Sequence, residues 1–204
     1  MPPKVKYTRE QIIDAAMALV REKGMAYLTA RELGAALGVT AKPIFTAFEN
    51  MDEVKNEVRK RARELYRENQ RDFTEYKPAF KRHGMQTIHF AQNEPRLFQL
   101  LFMSGDGHNL PFREAVAEVM GGVDDVLEVI RRDYSLEREE AKKLFDLLWI
   151  QVYGISALSA QGVCRFTEEE ISDMLSTTFL GVLGVVKSAA LSAYVQRADV
   201  KKIV

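Results

Sequence analysis

Residues 8–54 read TREQIIDAAMALVREKGMAYLTARELGAALGVTAKPIFTAFENMDEV, and this stretch decides the fold. Ile12, Ile13, Ala16, Leu19 and Val20 recur at helical spacing and give the opening segment one apolar face. Thr8 and Gln11 stand at the spacing of a capping box, and Gly24 suits the residue that closes such a helix. Thr29-Ala30-Arg31-Glu32 repeats the start signal, with Leu33, Ala36 and Leu37 as the inner face and Gly38 as the stop. Thr40 is placed to cap a third short helix. Pro43 is tolerated in its first turn, where backbone N–H groups have no helical partner. Ile44 and Phe48 share its inner side. Asn50 and Glu53 then open a long helix expected over 51–73, with Val54, Val58, Ala62 and Leu65 as its sparse apolar positions. At 1.5 Å per residue it would run about 33 Å.

The remaining chain reads the same way. Alternating Val, Ile and Thr runs are scarce, and spacings of three and four persist. Further helices are expected over 80–93, 96–103, 112–134, 137–161 and 167–197, so the fold class is all-α. Two units are expected: residues 1–50, and residues 51–204 with the long helix as connector. Hydrophobic residues make up 47% of the 204, enough for a packed core. Leu147 to Cys164 runs 18 residues without a charge. Gln151, Ser156, Ser159 and Gln161 interrupt it, which favours a buried or interface helix over a membrane span. The single cysteine, Cys164, forms no intrachain disulfide and reads as a buried small side chain in a reducing, cytoplasmic setting. His83 and His89 lie six residues apart and point about 120° apart on one helix, which does not suit chelation. No metal, cofactor or catalytic constellation is expected.

Two short helices joined by a tight turn and braced by a preceding helix make a helix-turn-helix unit. Its third helix presents N-terminal side chains to base edges, and the helix starts at Thr29 and Asn50 offer N–H groups to phosphates.

Residues 8–54 resemble the N-terminal domain of the tetracycline-repressor (TetR/AcrR) family of bacterial transcriptional regulators. The resemblance rests on Ile12-Ile13-Asp14-Ala15-Ala16, Gly24, Leu28-Thr29-Ala30-Arg31-Glu32-Leu33-Gly34, Leu37-Gly38-Val39-Thr40, Ile44-Phe45, Phe48, Asn50 and Asp52-Glu53-Val54. Glu94-Pro95-Arg96-Leu97-Phe98 is similar to the ligand domains of the family. The resemblance implies that Thr29 caps the second helix and touches a phosphate. It also implies that Thr40, Ala41, Lys42, Pro43 and Thr46 face the groove. Phe45 matches a position that is usually Tyr, Met51 one where Lys is common, and Ala47 one that is usually aromatic. The implied protein is a homodimeric repressor without enzymatic activity. Its partners would be operator DNA, a second copy and a small, largely apolar effector, with no membrane involved. A helical ligand-binding or interaction module with degenerate DNA binding is the alternative.

Phe90, Phe98, Phe102, Met103, Trp149 and Tyr153 supply the bulk for an effector cavity, and none of the charged residues stands out as a counterion. Gly154, Ala157 and Ala160, with Gly181, Gly184 and Ser188, allow close helix approach. Around them Ile155, Leu158, Phe179, Val182, Leu183 and Val186 are the expected dimer contacts. The net charge of zero is uneven along the chain. Residues 1–48 carry 7 basic and 4 acidic side chains, and residues 83–204 carry 12 and 17. The basic end is the one expected to face DNA.

Overall fold

The computed structural model describes residues 7–70, 78–104 and 110–188. Among them every regular element is helical. Helix α1 spans Arg9–Lys23, and the expected box is formed: Thr8 Oγ1 accepts from Gln11 N at 3.2 Å and Thr8 N donates back to Gln11 Oε1 at 2.9 Å. Such a cap is worth about 1 kcal/mol. A single 3-10 turn, Met25–Tyr27, leads to α2 (Ala30–Ala36), capped by Thr29. Helix α3 is regular only over Ile44–Ala47. Its cap position falls at Pro43 rather than Thr40, and no side chain caps it. The turn before it is closed by backbone bonds instead, from Ile44 N and Phe45 N to the Ala41 carbonyl.

Helix α4 (Met51–Asn69) starts at Asn50, whose Oδ1 accepts from Glu53 N at 2.9 Å. The end of the expected span, 71–73, lies outside the described residues. Its buried stripe is Val54, Val58, Ala62 and Tyr66, a strict four-residue spacing that leaves Leu65 at the edge of the core. Helix α5 (Ala79–Asn93) is followed by α6 (Pro95–Phe98), which passes into a π-helical turn over Gln99–Met103.

The single helix expected over 112–134 is two. Helices α7 (Phe112–Met120) and α8 (Asp124–Tyr134) are separated by Gly121 and Gly122, at φ +82° and +120°. Apolar spacing runs on through the break, but two consecutive left-handed residues end a helix. Helix α9 (Arg138–Ala160) is opened by a box between Glu137 and Glu140, and α10 (Glu168–Lys187) by one between Thr167 and Glu170. Residues 189–197 of the last expected helix lie outside the described residues.

One apolar cluster joins the first three helices to α4, α5 and α6 through Ile12, Leu33, Ile44, Val58, Tyr66 and Phe98. A second fills the space between α5, α8, α9 and α10 around Ile130, Leu144 and Phe145. Helix α5 packs along α9, and α9 along α10. Among the described residues, no helix is long and apolar enough to cross a membrane. Cys164 is exposed in the turn after α9, not buried as expected.

Candidate nucleic-acid interface

The third helix is held from beneath by Ile44, fully buried, and Phe48, 3% exposed. Its opposite side is open. Thr40, Lys42, Phe45 and Thr46 are exposed, while Ala41 and Pro43 are half-buried. Phe45 leaves 48% of its surface in solvent, a large apolar ring where a folded chain gains nothing by exposing it. The turn into this helix crosses close over Gly34. A Cβ there would stand 2.9 Å from the Val39 carbonyl oxygen, so only glycine lets the chain pass.

Three hydrogen-bond inventories define what the face can offer. Thr29 Oγ1 accepts from Glu32 N at 3.2 Å, which leaves its hydroxyl proton free to donate to a phosphate. Asn50 spends its carbonyl oxygen on the α4 cap and keeps its NH2 group as a donor. Thr46 donates its proton to the Lys42 carbonyl at 3.0 Å, so its oxygen faces outward as an acceptor. Lys42 supplies the cation of the face.

Arg9, which no local sequence signal marks, also belongs to this interface. Its Nη1 donates to the Ala47 carbonyl at 2.6 Å, its Nη2 pairs with Glu53 at 2.8 Å, and its guanidinium lies 4.0 Å over the Phe48 ring. One side chain of α1 therefore clamps the end of α3 and the start of α4. Glu53 also accepts from Glu49 N; that backbone bond and the Arg9 contact hold its carboxyl below the usual carboxylate range. Met51 is half-buried and packs against the core, which gives its apolar side chain a place.

The other functional candidates divide. A cavity of about 480 Å³ lies between α4, the π-helical turn, α7 and α9. Phe102, Met103, Trp149 and Tyr153, four of the six effector candidates, line it. The other two do not reach it. Phe98 is fully buried and stacks on Phe102 at 4.7 Å, and Phe90 meets Tyr66 edge-on at 5.3 Å. Tyr153 spends its hydroxyl on the Phe102 carbonyl at 3.2 Å. Arg59 and Arg63 bring α4 into the wall, with Arg63 paired to Glu118 at 3.1 Å.

Of the six expected dimer contacts, Ile155 and Val186 are spent on the chain's own core at 6% and 8% exposure. Phe179, Val182 and Leu183 are half-buried, and Leu158 is exposed. Beside the expected Leu158, the open apolar positions on these helices are Leu147 and Ile150 on α9 and Leu180 on α10. Gly154, Gly181 and Gly184 face open space.

An all-α chain that presents a helix-turn-helix at one end and a cavity-bearing helical body at the other has the build of a DNA-binding transcriptional regulator. The family described as "Bacterial regulatory proteins, tetR family" matches residues 12–58, and "Tetracyclin repressor-like, C-terminal domain" matches residues 80–179. The chain belongs to this family, and membership makes it a transcriptional regulator rather than an enzyme. Solved structures share the fold at low identity. A candidate TetR-family transcriptional regulator from Vibrio parahaemolyticus is 19% identical, with TM-score 0.56 over 84% of this chain and 96% of its own. The fatty acid degradation regulator FadR from Bacillus halodurans is 15% identical, with TM-score 0.58 over 86% and 97%. A candidate TetR-family regulator from Mesorhizobium loti is 17% identical, with TM-score 0.56 over 88% and 98%. No curated protein matches the chain.

Proposed function

We propose that the protein is a homodimeric repressor whose operator binding is modulated by a small, largely apolar effector. Residues 1–50 make the DNA contacts, through Thr29, Thr40, Ala41, Lys42, Pro43, Phe45, Thr46 and Asn50. Residues 51–204 hold the effector and the second subunit. The observation that carries the DNA-binding reading is the division of α3 into a buried side, Ile44 and Phe48, and an exposed side, Lys42, Phe45 and Thr46. A helix anchored in this way is free to enter a major groove without unpacking.

Two routes tie the effector cavity to that helix. Helix α4 lends Arg59 and Arg63 to the cavity wall and is clamped to α3 by Arg9 at its other end. The π-helical turn forms another wall and continues directly from α6, which packs on α1. There Arg21 grips Glu94 with two parallel bonds, Nε to Oε2 at 2.9 Å and Nη2 to Oε1 at 2.8 Å. An effector that fits one position of these walls better than another shifts the separation of two recognition helices, and operator affinity with it. Dimerisation is supported by the open apolar stripe Leu147, Ile150, Gly154 and Leu158, with Leu180, Gly181 and Gly184 on α10.

Fluorescence anisotropy with labelled DNA from upstream of the chain's own coding region tests the proposal. Specific binding that resists unlabelled competitor is expected. Binding no stronger than to random DNA at low salt contradicts it.

A further inference from the structure

A second cavity, of about 310 Å³, lies between α5, α8, α9 and α10. Phe80, Leu148, Val152, Leu175 and Phe179 make it apolar, and Tyr134 packs on Phe179 with ring centroids 4.7 Å apart. Lys81 and Ser176 interrupt this surface. The Lys81 ammonium donates to Ser172 Oγ at 2.6 Å and to Ser176 Oγ at 2.9 Å. Ser176 passes its own proton to the Ser172 carbonyl at 2.7 Å, which leaves its oxygen as an acceptor for the lysine. Both partners are neutral. Among the described residues, no carboxylate lies within ion-pair distance of Lys81. An ammonium has three donors, so one is unspent. No side chain caps the start of α5 at Pro78, which also borders the cavity, and the N–H groups of that first turn add positive potential.

Among the described residues this half-buried cation, at the edge of an apolar chamber, has only neutral partners and no counter-charge. We propose that this cavity binds an amphipathic anion, with a carboxylate on Lys81 and an apolar chain against Phe80, Leu148 and Phe179. The volume is at the lower end for small-molecule sites, which suits a medium-length chain. The site is distinct from the cavity beside α4, and its occupancy is read without DNA, so its failure leaves the DNA-binding reading standing.

Calorimetric titration of the full chain with decanoate, 1-decanol and decylammonium tests the assignment. Decanoate is expected to bind at least ~10-fold more tightly than decylammonium, the size of one charge-assisted hydrogen bond. Lys81→Met is expected to weaken decanoate ~10-fold or more and to leave 1-decanol unchanged, while Lys81→Arg retains decanoate. Each methylene removed from decanoate is expected to cost about fourfold in affinity. The wild-type ligand series reads the charge preference even if a variant fails to fold. Equal affinity for decanoate and decylammonium overturns the proposal, as does unchanged decanoate binding in Lys81→Met. So does the absence of decanoate binding by the wild-type chain, the result expected if a second copy fills the cavity.

Discussion

Acidification from pH 7 to 4 is expected to remove up to about 3 kcal/mol of folding stability through one residue, His83. The imidazole is 3% exposed, and its ring lies 6.5 Å from that of Trp149 at an interplanar angle of 27°. Burial pushes its pKa down from 6.5 to about 4. The unfolded chain therefore takes up a proton near pH 6.5 that the folded chain refuses. The stability it contributes is fully present above pH 6.5 and is lost as the pH falls toward about 4. The full gap, at about 1.4 kcal/mol per pH unit, comes to about 3.5 kcal/mol, of which about 3 kcal/mol is lost by pH 4. Asp124 and Asp125 border the same small cavity as His83, and their charge favours the proton, so this figure is a ceiling. Against a typical total of about 5–15 kcal/mol, the loss is large. Urea unfolding of the wild type and of His83→Leu, at fixed protein concentration and several pH values, isolates the effect. Other titrating groups cancel in the difference. The variant is expected to gain on the wild type by up to about 3 kcal/mol between pH 7 and 4. A difference in stability that stays constant over that range refutes the reasoning.

Further outcomes follow from the interface and its supports. Lys42→Ala and Thr46→Ala are expected to weaken operator binding without lowering the thermal midpoint, and Lys42→Ala to reduce the salt slope by roughly two, about one for each copy in the proposed dimer. Unchanged binding in both variants contradicts the proposed groove face. Phe45→Tyr restores a hydroxyl at an exposed position and is expected to tighten operator binding about 2- to 10-fold; no gain means that the ring does not reach the backbone. Gly34→Ala gains about 1 kcal/mol of helix propensity but forces a backbone contact that costs roughly 1–3 kcal/mol. Urea unfolding is expected to show a net loss, and a stabilised variant contradicts the close crossing. Glu94→Gln is expected to cost less than about 1 kcal/mol overall, yet to speed amide exchange at the end of α1 and in α6 together. Unchanged protection of both removes the Arg21–Glu94 contact from the coupling route.

The helix starts were legible in the sequence because capping is local. Thr8 with Gln11, Thr29 with Glu32, and Asn50 with Glu53 meet across three residues, and each cap oxygen accepts from its partner's N–H; the box expected at Thr29 is only half formed, because Thr29 N donates to the Tyr27 carbonyl and Glu32 pairs with Arg31. The break at Gly121-Gly122 was not legible from apolar spacing, because Val116, Val119, Val126 and Ile130 are buried on both sides of it. The third helix carries no side-chain cap, since backbone bonds to Ala41 close its first turn. Four of the six effector candidates face one cavity, but nothing local distinguishes Trp149, on its wall, from Phe98, sealed in the core beneath. Long-range pairs were the least visible. Arg9 meets Glu53 across 44 residues, and Lys81 meets Ser172 and Ser176 across 91 and 95. A cation's role depends on what the fold brings to it, and those partners lie on other helices.

Hydroxyl-radical footprinting of the full chain on DNA upstream of its own coding region tests the central claim most directly. A two-fold protein with the exposed face of α3 in the groove predicts two protected half-sites, related by symmetry and spaced by about one helical turn or a multiple of it. Loss of both protections in Lys42→Ala at moderate salt is expected with them. A single unsymmetrical patch, or no protection at low salt, would contradict the account.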